Sequence, residues 1–448
     1  LIPHRTDTII ALATPPGKGA IGVIRLSGPH AIAWTAQLMP KKRLADQLSH
    51  TLHYGLLYDL SGVVIDEVVV SLYHTPKSYT KEDVIEISAH GSPYILNQII
   101  AVFLQMGARL AEPGEFTLRA YLNGGMDLAQ AEAVADLIAS QSEQGKRLAL
   151  SQLRGGFSKR LKQLRQELLD LASLIELELD FSEEDVEFAQ RSQIQATVRQ
   201  ILTEIKLLTE SFRTGNAYKN GIPTVIVGRP NVGKSTLLNA LLNENKAIVS
   251  DIPGTTRDVI EDRLFIGGYE FLIMDTAGIR ESDNAIEAEG IKRTLEKMNT
   301  ASLILWVADA REGFAPEPEL QNLPAEAQVL RIANKADQLP TDTLLSEEVI
   351  YLSALHQRNL DGLQSAMVRV AESFTPYDTI VSNQRHVAAL QACEASLEAV
   401  LSGIQHQLSS ELLAIDLRQC LYDLGLITGE VTNDELLGNI FSKFCIGK

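Results

Sequence analysis

The sequence predicts a multidomain α/β and α+β protein, with an α/β domain inserted into a helical domain that follows an α+β N-terminal domain. Three observations carry that prediction. Short β-rich runs broken by Pro and Gly fill about the first 114 residues, and proline-poor helical periodicity fills residues 127–212. An alternation of strand and helix patterns then runs from 221 to about 374, after which helical periodicity resumes at 385–424 and 433–444.

In the first region residues 8–13, 21–26, 63–72 and 84–88 read as strands and residues 93–106 as a helix. In the second, Ala129, Ala133 and Ile138, then Leu161, Leu164, Leu168, Leu171, Leu174 and Ile175, recur at helical spacing with charges between them. Each helix thereby gains one apolar stripe to bury in a bundle. The acidic run Glu183-Glu184-Asp185 reads as a solvated turn ahead of a metal site. In the third, the apolar runs 224–227, 271–274, 303–307, 329–332 and 350–352 have the continuous character of strands covered on both faces of a parallel sheet. Domain termini often lie close together, which permits one domain to sit inside another. The boundaries read as 1–124, 125–220, 221–378 and 379–448.

Composition fits this division. At about 100–200 residues per domain, 448 residues allow two to four domains. A net charge of −17 argues against a protein that coats nucleic acid through a broad basic face, while leaving room for a local basic groove. Cys393, Cys420 and Cys445 are too few and too widely spaced for a zinc cage or a disulfide framework, and point to a reducing, cytoplasmic setting. No run of about 18 apolar residues is evident, so no membrane insertion is expected. The first residues, Leu1-Ile2-Pro3-His4-Arg5, lack the charged start and apolar core of a secretion signal.

The chemistry is most legible where a strand pattern gives way to a helix. Gly228-Arg229-Pro230-Asn231-Val232-Gly233-Lys234-Ser235 fits the phosphate-binding loop G-x-x-x-x-G-K-[ST]. Glycines let the backbone wrap phosphates with N–H groups pointing inward, and the helix N-terminus adds a favourable dipole. The backbone from Asn231 through Val232 and Gly233 to Thr236 would form that cradle, Lys234 would reach the β/γ-phosphates, and the Ser235 hydroxyl would ligate Mg2+. Asp275-Thr276-Ala277-Gly278 ends the next strand pattern, with a carboxylate for the metal side and a glycine amide for the γ-phosphate. Asn334-Lys335-Ala336-Asp337 follows another strand. Asp337 can accept both N1–H and N2–H of guanine, a pair that adenine does not offer, and Ser353-Ala354 supplies a backbone amide for the guanine O6. Gly254-Thr255-Thr256-Arg257-Asp258 has the switch threonines. Four such motifs in order predict a Ras-like P-loop GTPase domain binding GTP.

Ras-type GTPases place a water-orienting glutamine after the D-x-x-G motif, but this chain has Ile279. Another group must position the water, and residue type does not separate Glu281, Asp283, Glu287 and Glu289. Asn231 reads equally as a loop-shaping residue or as a carboxamide ligand for a monovalent cation.

The chain ends Phe444-Cys445-Ile446-Gly447-Lys448, which lacks the aliphatic pattern of a prenylation signal. This ending, the phosphate loop, the G-T-T-R-D segment and the N-terminal A-T-P-P-G-K-G-A-I-G-V-I-R-L-S-G together resemble the MnmE (TrmE) family of tRNA-uridine-modifying GTPases. So do Glu82-Asp83-Val84-Ile85-Glu86, Pro113-Gly114-Glu115-Phe116 and Asp127-Leu128-Ala129-Gln130-Ala131-Glu132-Ala133. The resemblance spans essentially the whole chain. It implies a folate-binding, dimerising N-terminal domain, a discontinuous helical domain and an inserted GTPase domain.

It further implies a homodimer acting with the FAD-carrying flavoprotein MnmG (GidA). Together they would add a carboxymethylaminomethyl or aminomethyl group at C5 of the tRNA wobble uridine, using 5,10-methylene-tetrahydrofolate, with 5-formyl-tetrahydrofolate as an analogue. GTP hydrolysis would be activated by K+, with no arginine finger. By resemblance Asn231, Ser250, Ile252 and Thr255 hold K+, and Thr256 joins Ser235 on Mg2+. Glu287 orients the attacking water, Arg25, Glu86 and Lys448 contact folate, and Cys445 is required for modification. One departure stands out: Gly125 occupies a position where the family usually has a pocket lysine. A regulatory GTPase of ribosome assembly shares the nucleotide motifs, but such proteins carry a basic RNA-binding appendage that is not evident here. A membrane-remodelling GTPase would need an amphipathic basic segment, also not evident.

Overall fold

In the computed structural model the described residues are 7–180, 191–245, 262–274, 300–314, 327–340, 343–374 and 379–447. The chain divides into two compact units, one built from Leu1–Ala135, Gln152–Leu169 and Arg418–Lys448, the other from Asp136–Ser151 and Asp170–Leu417.

The first unit is built on a six-stranded sheet: β1 (Ile9–Leu12), β2 (Ile21–Ser27), β3 (Thr51–Tyr58), β4 (Val64–Tyr73), β5 (Val84–His90) and β6 (Arg109–Leu110). Its order is β3-β4-β5-β2-β1-β6, antiparallel except for the β1–β6 pair. Helices α1 (Ala31–Leu38) and α2 (Pro93–Gln105) contribute to its core with Ile24, Leu26, Ile85, Ile87, Ile99 and Phe103. Because side chains alternate along a strand, Ile24 and Leu26 face that core and Arg25 faces the other way. Helix α3 (Glu115–Leu122) seats Phe116 on this second side, against Ile9 and Ala11. The edge strand β3, absent from the sequence reading, leaves Leu52, Tyr54 and Leu56 exposed.

The helical stretches contain α4 (Leu128–Ala139), α5 (Glu143–Leu153), α6 (Gly156–Asp180), α7 (Arg191–Asn220), α10 (Gln384–Gln405), α11 (Ser410–Thr428) and α12 (Asp434–Phe441). Within the first unit, α12 and the following Phe444 pack onto Leu128, Ala131 and Val134 of α4. The Asn433 side chain caps α12 by accepting from the Leu436 N–H at 2.8 Å.

The second unit carries a sheet of β7 (Ile222–Val227), β8 (Asp262–Ile266), β9 (Tyr269–Met274), β10 (Leu303–Asp309), β11 (Gln328–Asn334) and β12 (Val349–Tyr351), with α8 (Lys234–Asn245) and α9 (Leu360–Glu372). The order β12-β11-β10-β7-β9-β8 is parallel apart from the antiparallel edge strand β8. Leu237, Leu241, Phe271, Leu305, Leu363 and Met367 fill its core. Helix α7 precedes this sheet and α10 follows it, and the two pack against each other.

Helix α10 is long and apolar enough, by length and composition, to cross a membrane, with a mean hydropathy of 1.3 over its best window. Its Leu390, Leu397 and Val400 are fully buried in the protein. Cys393 and Cys420 are buried, and Cys445 is the free, exposed cysteine.

Candidate functional site

The phosphate loop joins β7 to α8. Gly228 has φ +141°, and a Cβ there would fall 2.0 Å from the Val307 carbonyl oxygen of β10, so only glycine lets the loop leave the sheet this closely. Val232 is buried and anchors the loop in the core, whereas Asn231 (φ +64°) and Ser235 are exposed. The Lys234 ammonium donates to the carbonyls of Gly228 (2.6 Å) and Arg229 (2.9 Å), so its charge rests on the loop's own backbone. Thr236 lies half-buried one residue further into α8.

Asn334, at the end of β11, ties three motifs together. Its Nδ2 donates to the Val232 carbonyl at 2.9 Å, and its Oδ1 accepts from the Ala354 N–H at 3.0 Å. Lys335, in the left-handed region (φ +62°), donates to the Asn231 carbonyl at 2.7 Å and pairs with Asp309 Oδ2 at 3.0 Å. Asp309 ends β10, directly opposite Asn334 in the parallel register. Its carboxyl is held far below the usual carboxylate range, first by Arg311, which donates at 2.9 and 2.6 Å, and then by Lys335. The Asp337 carboxyl is lowered first by the Ser353 hydroxyl. His356 Nε2 lies 3.7 Å from it. The loop, Asn334, Lys335, Asp337, Ser353 and Ala354 thus meet at the carboxyl ends of the parallel strands, where α/β sheets bind ligands.

Ser250, Ile252, Thr255, Thr256, Asp275, Thr276, Ala277, Gly278 and Glu287 lie outside the described residues, as does Lys448. Of the expected Mg2+ and K+ ligands, Ser235 and Asn231 are therefore the described members. Among the described residues no cluster of three or more His, Cys, Asp or Glu could hold a metal ion. Hydroxyl, carboxamide and backbone oxygens suit a hard cation completed by phosphate oxygens.

A second site lies in the first unit. Arg25 and Glu86 face each other across β2 and β5, with Arg25 Nε donating to Glu86 Oε1 at 2.8 Å. Arg25 also donates to the Gly447 carbonyl at 3.2 Å, a partner 422 positions away in the chain. Its guanidinium lies over the rings of Tyr79 and Phe116, 5.5 and 5.6 Å from their centroids. The tail reaches this place because the Gly114 N–H donates to the Cys445 carbonyl at 3.4 Å, and because Gly447 (φ +93°) brings its backbone against Leu12, where a Cβ would fall 2.6 Å from the carbonyl oxygen.

Phe116 is fixed by charged neighbours on α3. Glu115 accepts from Arg109 at 2.5 Å, and Arg119 pairs with Asp7 at 2.7 Å. Burial alone would push the Glu115 carboxyl up, but the hydrogen bonds from Arg109 and Arg119 hold it down. Beside Gly125, which lacks the family lysine, the Lys81 ammonium donates to the Gly124 carbonyl at 2.8 Å.

The sequence reading missed Asp309, Tyr79 and Phe116. A buried acid closing the apolar strand Leu-Ile-Leu-Trp-Val-Ala-Asp was a usable signal for Asp309. Nothing in spacing marks the two aromatics.

Comparison with known proteins adds to this geometry. A family model described as the MnmE helical domain matches residues 128–445, and one described as the GTP-binding protein TrmE N-terminus matches residues 8–125. A protein from Cytophaga hutchinsonii named tRNA modification GTPase MnmE is 50% identical over 456 residues, covering 100% of this chain and 99% of its own. Proteins of the same name from Christiangramia forsetii and Flavobacterium johnsoniae are 49% and 48% identical, each alignment covering 99% of both chains.

Proposed function

The chain belongs to the MnmE (TrmE) family, and on that premise we propose that it is a GTPase whose nucleotide cycle serves the modification of a uridine in tRNA. The observation that carries this reading is the junction of Arg25, Glu86 and the tail bearing Cys445, a constellation that GTP hydrolysis by itself does not need.

In the GTPase domain, the backbone from Asn231 to Thr236 cradles the phosphates, and Lys234 exchanges its two carbonyl partners for the β/γ-phosphates. Asp337 reads the guanine edge with Ser353 and Ala354 beside it, and Asn334 holds loop and base site in register. Ser235 and Thr256 hold Mg2+, with Asp275 to Gly278 on the γ-phosphate side. Asn231, Ser250, Ile252 and Thr255 hold K+, which supplies the positive charge that an arginine finger supplies elsewhere. Glu287 orients the water, the task that Ile279 cannot perform.

In the N-terminal domain, Arg25, Glu86 and Lys448 would hold the tetrahydrofolate, with the Glu86 carboxylate as a hydrogen-bond acceptor and Arg25 and Lys448 as donors. 5,10-Methylene-tetrahydrofolate would supply the one-carbon unit for C5 of the wobble uridine, with the flavoprotein MnmG and its FAD as the redox partner, in a cytoplasmic assembly. The exposed apolar edge of β3 supports a homodimer, because an unpaired strand edge invites a second copy.

The test is mass analysis of wobble uridines in a strain whose own protein is replaced by this chain. The intact chain should restore the modified nucleoside, and Cys445→Ser should abolish it while GTP turnover stays intact. Modification that persists in Cys445→Ser makes the tail structural and removes the observation on which the reading stands. Turnover should also rise steeply when Na+ is replaced by K+; equal rates would exclude the cation role.

A further inference from the structure

The basic residues are not spread evenly. Residues 144–166 contain Lys146, Arg147, Arg154, Lys159, Arg160, Lys162 and Arg165 and no Asp or Glu, in a chain whose net charge is −17. Four of the seven lie on the first half of α6, within the first unit, and Arg154 immediately precedes the Gly155-Gly156 turn that begins it. Arg154, Lys159 and Lys162 are exposed. Among the described residues Arg154 and Lys159 pair with no carboxylate, whereas Arg165 is held by Glu430 at 2.8 Å. Lys159 closes the first turn of α6, where the helix dipole disfavours cations and favours an anion.

This charge borders a cleft of about 400 Å3, lined by Asp127, Gln130, Ser158, Lys159, Lys162 and Gln163 among others. The Asp127 side chain, about nine-tenths buried, is half satisfied. Its Oδ1 accepts from the Gln130 N–H at 3.0 Å and from the Ser158 hydroxyl at 2.9 Å. Its Oδ2 accepts no hydrogen bond among the described residues, and the Lys162 ammonium stands 3.5 Å away. A cleft of this kind asks for a ligand with negative charge for the rim and a hydrogen-bond donor for the floor. A purely anionic surface would meet the Asp127 carboxylate with repulsion. A ribose-phosphate backbone offers both groups, phosphates beside 2′-hydroxyl donors.

We infer that this face of the first unit, formed by Asp127, Arg154 and the first half of α6, is a contact surface for the RNA backbone, with Arg154, Lys159 and Lys162 on phosphates and Asp127 accepting from a 2′-hydroxyl. The inference rests on the tRNA reading above and adds where on the first unit the tRNA is held. It also reconciles an acidic protein with a polyanionic substrate, because the required positive charge is concentrated in one short segment.

The test is fluorescence anisotropy of labelled tRNA with the full-length chain across a KCl series. Arg154→Gln/Lys159→Gln should weaken binding about tenfold, and the slope of log affinity against log salt should fall by about 1.4–1.8, as expected for two lost phosphate contacts. Arg154→Lys/Lys159→Arg should retain both values, and GTP turnover and the melting temperature should match the parent in both variants. An unchanged affinity and slope in the double glutamine variant overturns the inference, as does a parent chain that does not bind tRNA. Binding of that parent to phosphatidylglycerol vesicles but not to tRNA would overturn it too, in favour of a membrane contact. The two readings fail differently. If the intact chain does not restore wobble-uridine modification, the functional reading falls; if it does and the double variant still binds normally, only the surface falls.

Discussion

The two candidate sites are built in opposite ways. The nucleotide site is assembled around one contiguous loop, and its two lysines rest on the loop itself, Lys234 on Gly228 and Arg229, Lys335 on Asn231. The N-terminal site is assembled across the length of the chain, with Arg25 of β2 bonded to Gly447 of the tail. The first is a locally encoded scaffold whose lysines rest on internal backbone partners. The second joins strand residues to a carbonyl of the tail, so it depends on tertiary structure more than on local geometry.

The largest effect expected from this contrast is at Lys234. Lys234→Ala should lower GTP turnover about 10²–10³-fold, as removal of one charge-stabilising donor does in other active sites, while leaving 5-formyl-tetrahydrofolate binding within twofold of the parent. A parallel loss of folate binding would show that the two sites are not separable. Next is Arg25→Ala, which removes a charged hydrogen-bonding hub worth about 1.5–3 kcal/mol. Calorimetry should record folate affinity reduced about 10–100-fold with GTP turnover unaffected, and an unchanged affinity would detach Arg25 from the ligand.

The same contrast explains what was legible in advance. Gly228 to Ser235 could be recognised because the chemistry needs those residue types side by side. Asn334, Lys335 and Asp337 could be recognised because a strand end presents them together. The sheet followed from apolar runs, although β8 escaped because an antiparallel edge strand follows no βαβ rhythm. Arg25 and Glu86 carried no such signal. Their meeting depends on the antiparallel register of β2 and β5 and on a tail hundreds of residues away, so only the resemblance pointed to them. Strand β3 was missed because the edge of a sheet has one neighbour, and Leu52, Tyr54 and Leu56 lie exposed among polar residues.

A smaller effect should follow from Asn334→Ala. It leaves the Val232 carbonyl and the Ala354 N–H without their buried partner, a cost of about 1–3 kcal/mol. Thermal unfolding of the nucleotide-free protein should register it, and an unchanged melting temperature would mean that the loop and base site are not braced by this side chain. The smallest effect is at Asp309, whose carboxyl titrates below its ordinary value in the folded chain. Its stabilisation is therefore complete above the unfolded pKa of about 3.9 and is lost as pH falls through the lower folded value. Asp309→Asn should flatten the acid side of the stability curve and leave the slope above about pH 5 unchanged. A variant with the parent's acid slope would show that Lys335 and Arg311 do not depend on this charge.

One chain is expected to couple a locally built GTPase site to tRNA chemistry at the site shared by Arg25, Glu86 and the tail. The most direct measurement is the wobble-uridine mass profile of tRNA from a strain supplied with the intact chain, Lys234→Ala or Arg25→Ala. The intact chain should yield the modified nucleoside and either variant should lose it, although only Lys234→Ala lowers GTP turnover. Full modification in the Lys234→Ala strain would contradict this coupling, because tRNA chemistry would then proceed without the nucleotide cycle.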